Sequence, residues 1–161
     1  MGIDYWLVDC SVLSNFALIG KLGLLKEKLS AKLYIPEEVK SEFLLGIEKG
    51  VIPKTDIDWL RLVNLTASED TLFKGIRLRL GSGESACLAI AISRQWKLFT
   101  DDADARKTAQ RFEVYVSGTI GILVYLIHRN HLVLADGNKM LKDMIDKGYY
   151  SPVEKLDSLM A

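Results

Sequence analysis

The chain has 161 residues, enough for one domain with a sizeable core, and its 21 Lys and Arg balance 21 Asp and Glu to a net charge of zero. With 49% apolar and 26% charged residues, the composition excludes an acidic disordered segment and a globally basic nucleic-acid binder. Any contact with nucleic acid would need a local basic rim. Cys10 and Cys87 have no CxxC or His partners at zinc-like spacing and are expected to be reduced, buried thiols. The longest apolar run, 120–127, is too short for a bilayer, and the start lacks a basic stretch followed by an apolar one, so a soluble, cytoplasmic protein is expected.

Residues 5–8 predict a strand that runs into Asp9, followed by helices over 11–19 and 21–29 with Gly20 between them. Residues 32–35 predict a second strand. Pro36, Glu37 and Glu38 then suit the first turn of a helix carrying Val39, Phe43 and Ile47 on one stripe and ending near Gly50. A loop around Pro53, a strand over 59–65 and a charged helix over 68–80 follow. The turn Gly81-Ser82-Gly83 opens a helix over 84–95 that is apolar on nearly every side, which marks it as central and buried. Residues 97–100 predict a strand ending in Asp101-Asp102, then a helix over 103–111, a strand over 113–116 and an apolar helix reaching His128. The tail from Leu134 reads as two helices separated by Gly148 and Pro152. This alternation of strands and helices predicts a mainly parallel central sheet flanked by helices.

Two predicted strands end in acid, and ligands of a parallel α/β sheet gather beyond the carboxyl ends of its strands. Carboxylates brought together repel and raise each other's pKa unless a cation separates them, and an all-oxygen site suits Mg²⁺ or Mn²⁺. Four acids are candidates: Asp9, Glu42, Glu84 and Asp102, with Asp101 and Asp104 as neighbours. Each also has an ordinary structural reading. Asp9, Asp101 or Asp102 can cap the helix that follows, Glu84 suits a helix's first turn, and Glu42 borders an apolar stripe as a solvated Glu does.

The order of the four acids resembles the PIN-domain nucleases, and among them the VapC-type toxins and a subgroup with Gly-Glu and Asp-Asp-x-x-Ala-Arg motifs. The similarity lies in Val8-Asp9-Cys10-Ser11, in Ile35-Pro36-Glu37-Glu38-Val39-Lys40-Ser41-Glu42, in Gly83-Glu84-Ser85-Ala86-Cys87-Leu88-Ala89, and in Leu98-Phe99-Thr100-Asp101-Asp102 followed by Asp104 and Arg106. The resemblance implies a three-layer PIN-like α/β fold over 1–133, with 134–161 as a helical extension of the same domain. It implies a metal-dependent endoribonuclease for single-stranded RNA, the toxin of a type II toxin–antitoxin pair, homodimeric and held by a small antitoxin protein. Asp9, Glu42, Glu84 and Asp102 would be catalytic acids and metal ligands, with Asp101 and Asp104 as further metal candidates. Ser11, Asn15 and Thr100 would support them, and Arg106, Lys107 and Arg79 would hold substrate phosphates. The rival reading is a PIN fold acting as a binding or regulatory protein with little or no nuclease activity.

Other motifs lead elsewhere and fail. His128 and His131 are spaced for a metal but lack a third ligand. Asp102 to Glu113 echoes an EF-hand loop, yet Lys107 stands where that loop needs Gly. A haloacid-dehalogenase-type phosphatase needs an acid where Ser11 stands, a Toprim-type nuclease leaves Asp9 and Glu42 unexplained, and Gly81-Ser82-Gly83 lacks the ending of a P-loop.

Overall fold

The first strand, β1 (Trp6–Val8), is the middle of a five-stranded, wholly parallel sheet in the order β3-β2-β1-β4-β5. The structure is a computed structural model and describes residues 4–160. The outermost ends of the two expected spans, residues 1–3 and 161, lie outside the described residues.

From β1 the chain passes through α1 (Cys10–Leu18), α2 (Leu22–Leu29) and a 3₁₀ turn into β2 (Leu33–Pro36). It continues through α3 (Glu37–Glu48) to β3 (Arg61–Val63), with Tyr34 registered on Arg61. Two helices, α4 (Ala67–Ile76) and α5 (Ser82–Arg94), then carry it back across the sheet to β4 (Lys97–Phe99). Strand β4 lies on the other side of β1, with Trp6 on Lys97 and Val8 on Phe99. After α6 (Ala103–Arg111) come β5 (Val116–Ser117), α7 (Thr119–His128) and α8 (Leu134–Asp146). The connections out of β1 and into β4 therefore run in opposite directions, and such a reversal opens a crevice at the carboxyl ends of the two strands. This is the layered α/β arrangement that the sequence alternation predicts.

Helix α5 is the packing centre. It touches β1, β2, β4, α3, α4 and α6, and residues 85–91 are all buried. Its small residues (Ala86, Cys87, Ala89, Ala91) let neighbouring backbones come close, while Leu88 and Ile90 fill the gaps. Phe16, Phe43, Leu7, Leu13 and Leu98 complete the core; each is at most 1% exposed, and each such side chain contributes roughly 1.5–3 kcal/mol. Cys10 and Cys87 are buried free thiols as expected, and burial pushes Cys10 up to about 12.

Several sequence expectations need correction. The strand expected over 59–65 shrinks to three residues, because 57–60 form a turn in which Leu60 N–H bonds the Ile57 carbonyl and the Trp59 indole donates to the Asp56 carbonyl. The helix expected to reach residue 80 ends at Ile76. The strand expected over 113–116 begins later, since Glu113 takes a left-handed conformation (φ 58°) to turn the chain. The second tail helix is only one 3₁₀ turn, Asp157–Leu159. The segment leading to it is held by Asn138, which accepts a hydrogen bond from Leu156 N–H at 2.8 Å, and by the buried Leu156 side chain.

Candidate acidic site at the carboxyl ends of β1 and β4

Asp9 follows β1 directly and is 2% exposed. Its backbone is fixed by a bond from its N–H to the Phe99 carbonyl (2.9 Å), so β4 sets its place. Oδ1 accepts from Cys10 N–H at 2.8 Å and caps α1. Oδ2 accepts from the Thr100 hydroxyl at 2.9 Å and the Ser11 hydroxyl at 3.1 Å. Those same hydroxyls accept from the next loop: Asp101 N–H donates to Ser11 Oγ (3.1 Å), and Asp102 N–H donates to Thr100 Oγ1 (3.2 Å). The loop after β4 is thus wired to the carboxylate after β1 through two hydroxyl relays. Burial pushes the Asp9 pKa up, against the opposing pull of these hydrogen bonds.

The other three acids arrive on helices. Asp102 caps α6, its Oδ2 accepting from Ala105 N–H at 2.8 Å. Glu84 stands in the first turn of α5 and accepts from Gly81 N–H at 3.3 Å. Glu42 is an exposed residue of α3, but its carboxyl end leans over Gly83. A Cβ on Gly83 would stand 2.6 Å from Glu42 Oε2 and 3.7 Å from Asp9 Oδ1, so the missing side chain leaves a cradle between two carboxylates. Glu84 is pushed up to about 7, by burial first and then by the charges of Asp9, Asp102 and Glu42. Glu42 is raised too, by burial and then by Asp9. These four acids, from four separate chain segments, form one electrostatic unit.

An all-carboxylate donor set, the space above Gly83 and the mutual repulsion fit a hard divalent cation. Among the described residues, however, no three Asp, Glu, His or Cys side chains stand at the spacing of a ready ion cage. The acids' present hydrogen bonds account for part of that: Asp9 spends both oxygens on donors, and Asp102 and Glu84 each give one oxygen to a helix cap.

The remaining candidates lie elsewhere. Asp104 is exposed and has no side-chain hydrogen bond among those described, and it is not among the charges that raise Asp9, Glu42 or Glu84. Asp101 turns away from the four acids: Oδ1 accepts from Thr119 N–H (2.9 Å), while Oδ2 accepts from the Thr119 hydroxyl (2.5 Å) and the Asn15 amide (3.0 Å). Asn15 therefore supports Asp101, not the acid unit directly. Arg106 is held inward, with Nη1 donating to the Thr100 carbonyl at 3.0 Å. Arg79 and Lys107 are exposed. The sequence pattern marks Gly83 only as part of a turn and a motif and gives Thr119 no site role; the small residue before Glu84 and the hydroxyl after Gly118 are the signals it offers.

A parallel α/β sheet with acids gathered where its strand order reverses defines the class of the molecule. Within it, the chain belongs to the PIN domain family: the family model DUF3368, described as a PIN domain, matches residues 5–161. PIN domains are generally nucleolytic. Among solved structures the chain is similar to PAE2754 from Pyrobaculum aerophilum, at 17% identity and a TM-score of 0.55 over 78% of this chain and 91% of that one. It is also similar to VapBC2 from Rickettsia felis, solved bound to a DNA fragment from its promoter, at 14% identity and a TM-score of 0.49 over 71% of this chain and 98% of that one. At 17% identity the likeness to PAE2754 concerns the fold alone. No curated protein matches the chain in sequence.

Proposed function

We propose that the chain is a divalent-metal-dependent endoribonuclease acting on single-stranded RNA. The observation that carries this reading is the convergence of Asp9, Glu42, Glu84 and Asp102, with Glu84 driven up to about 7 by burial and by its three acidic neighbours. Membership of the PIN domain family supports it. In this reading the four acids would hold Mg²⁺ or Mn²⁺, which supplies an activated water and neutralises charge developing on a phosphodiester. The protein's own work is positional. Thr100 and Ser11 orient Asp9 Oδ2, the α5 and α6 amino ends place Glu84 and Asp102, and Gly83 leaves room for Glu42. Arg79 and Lys107 are the exposed cations assigned to RNA phosphates, while Arg106 serves the loop after β4.

The motif resemblance extends the proposal to the toxin half of a toxin–antitoxin pair, a cytoplasmic homodimer restrained by a small antitoxin protein. No helix of the described residues is long and apolar enough to cross a membrane. The test is cleavage of labelled single-stranded RNA by the purified protein with Mn²⁺ or Mg²⁺, beside EDTA and Asp9→Asn controls. Cleavage that disappears in both controls is expected. A folded, antitoxin-free protein that cleaves none of a varied RNA set would instead favour a PIN-fold binding protein.

A further inference from the structure

The geometry points to Asp101 as the positioning residue of the acid site, a carboxylate that pins the β4–α6 loop to α1 and α7 instead of binding the cation. Both of its oxygens are engaged, by three donors: Asn15 from α1, and the backbone and hydroxyl of Thr119 at the start of α7. Asn15 also donates to Thr119 Oγ1 at 3.2 Å, which closes a three-residue ring. Thr119 is fully buried, so the ring is sealed from water on that side. Gly118 completes the fit, because a Cβ there would collide with the Asp101 carboxylate and stand 3.1 Å from both Arg106 Nη1 and the Thr100 carbonyl oxygen. Tyr149, just beyond α8, lies within range of the Asp101 charge, which after burial pushes its hydroxyl pKa up.

The ring acts on the site through the backbone it holds. The residue whose side chain is pinned sends its own N–H to Ser11 Oγ, and Ser11 donates onward to Asp9. The residues on either side of Asp101 are Thr100, which bonds Asp9, and Asp102, an acid of the site. Fixing Asp101 therefore fixes three contacts around Asp9 at once. Loosening it lets Asp102 and Thr100 drift together while every proposed ligand is still present. This rests on the four-acid reading for its functional meaning, but the pinning itself is independent of metal.

The test uses the full chain and four variants: Asp101→Asn, Asp102→Asn, Thr119→Val, and the exchange pair Asn15→Asp with Asp101→Asn. The pair reverses donor and acceptor around the ring, so that an amide at 101 donates to a carboxylate at 15 while Thr119 N–H keeps an acceptor. Amide hydrogen exchange over 97–106 and 117–123 is read beside Mn²⁺ affinity and RNA cleavage. Asp101→Asn is expected to speed exchange in both segments by about tenfold or more, as loss of charge-assisted hydrogen bonds does. Its kcat should fall with KM little changed and with a smaller loss of Mn²⁺ affinity than in Asp102→Asn, and the exchange pair should restore protection. Unchanged exchange with Mn²⁺ affinity lost as deeply as in Asp102→Asn overturns the inference and makes Asp101 a ligand; an exchange pair as loose as the single variant also overturns it. If Asp101→Asn does not fold, Thr119→Val decides: faster exchange confined to these segments supports the ring, and unchanged exchange sinks it. A wild-type protein that binds no Mn²⁺ and cleaves nothing removes the nuclease reading, while the exchange results still decide the pinning.

Discussion

At the scale of single residues, Gly83 and Glu84 make the site's most specific statements. Gly83→Ala would place a methyl against the far end of Glu42, a side chain that can swing aside, and against a Val39 methyl at 3.2 Å. The variant should therefore fold with a thermal midpoint within about 2–4 °C of wild type, the equivalent of roughly 1 kcal/mol for a chain this size. Its Mn²⁺ affinity and cleavage should still fall by about tenfold or more, since a ligand displaced by an ångström or so is costly to such chemistry. A calorimetric titration and a single-turnover assay check both halves. Glu84 predicts a pH effect. Its pKa in the folded chain lies near 7, above its ordinary 4.5, so the folded state holds the proton more tightly. Stability of the metal-free protein should then decline as pH rises from about 4.5 to about 7 and level off above. Glu84→Gln should make that decline shallower, leaving what the raised Asp9 and Glu42 contribute, and thermal melts in EDTA at pH 5, 6, 7 and 8 measure it; equal slopes in wild type and variant would contradict the electrostatic unit. Both residues were visible in the sequence as Gly-Glu before an apolar run. What was not visible was that the glycine's missing side chain makes room for a carboxylate on α3.

Among elements, α4 and α5 are joined by an ion pair that the sequence did not announce. Thr66 and Glu69 cap α4 reciprocally, with Glu69 N–H on the Thr66 hydroxyl and Thr66 N–H on Glu69 Oε1. Glu69 also receives two bonds of 2.8 Å from Arg94 at the end of α5, and Arg94 donates further to the Asn64 carbonyl. Glu69 is 1% exposed and Arg94 28%, so the two partners are unequal. Arg94→Ala leaves a buried carboxylate without its cation and should cost about 3–5 kcal/mol. Glu69→Ala should cost less, because the guanidinium that remains can be hydrated. The Arg94 hydrogen bonds hold the Glu69 carboxyl down to about 2, so this contribution is present above the ordinary 4.5 and is lost as pH falls toward 2. Urea denaturation at pH 7 and pH 3 tests both the ranking and the sign. The long elements were legible because their apolar periodicity is strong: α5, α6 and α7 lie within two residues of their expected bounds. The short strand β3 is expected too long and β5 too early because their starts are set by neighbouring turns, at 57–60 and at the left-handed Glu113, and not by their own composition. The lone 3₁₀ turn of the tail shows the same limit, since a side chain from α8 decides where that segment sits.

For the whole molecule, four carboxylates whose charges raise the pKa values of Asp9, Glu42 and Glu84 among them are a store of repulsion that a cation would relieve. Mn²⁺ at a hundred times its dissociation constant should stabilise the fold by roughly 2.7 kcal/mol, and Asp9→Asn or Asp102→Asn should lose most of that gain along with cleavage. Thermal melts with and without Mn²⁺ measure it, and a shift of equal size in Asp9→Asn would point to an ion bound elsewhere. The order of the acids along the chain was legible, and so was their position at strand and helix ends. Their partition was not: Asp101 and Asp102 are adjacent in sequence yet face different neighbours, because Asn15 and Thr119 draw one of them away. The sheet order has a consequence in time as well as in space. Trp6 pairs with Leu33 on one side and Lys97 on the other, so the β4 side of β1 stays open until the chain has been made past residue 97. A ribosome therefore exposes Asp9 and Glu42 long before Asp102 can join them. On the proposed reading the nearest single-stranded RNA during that interval is the message being translated. On that reading the growing chain cannot gather its four acids, and so cannot cleave, until residues 97–102 have been made and β4 has joined the sheet.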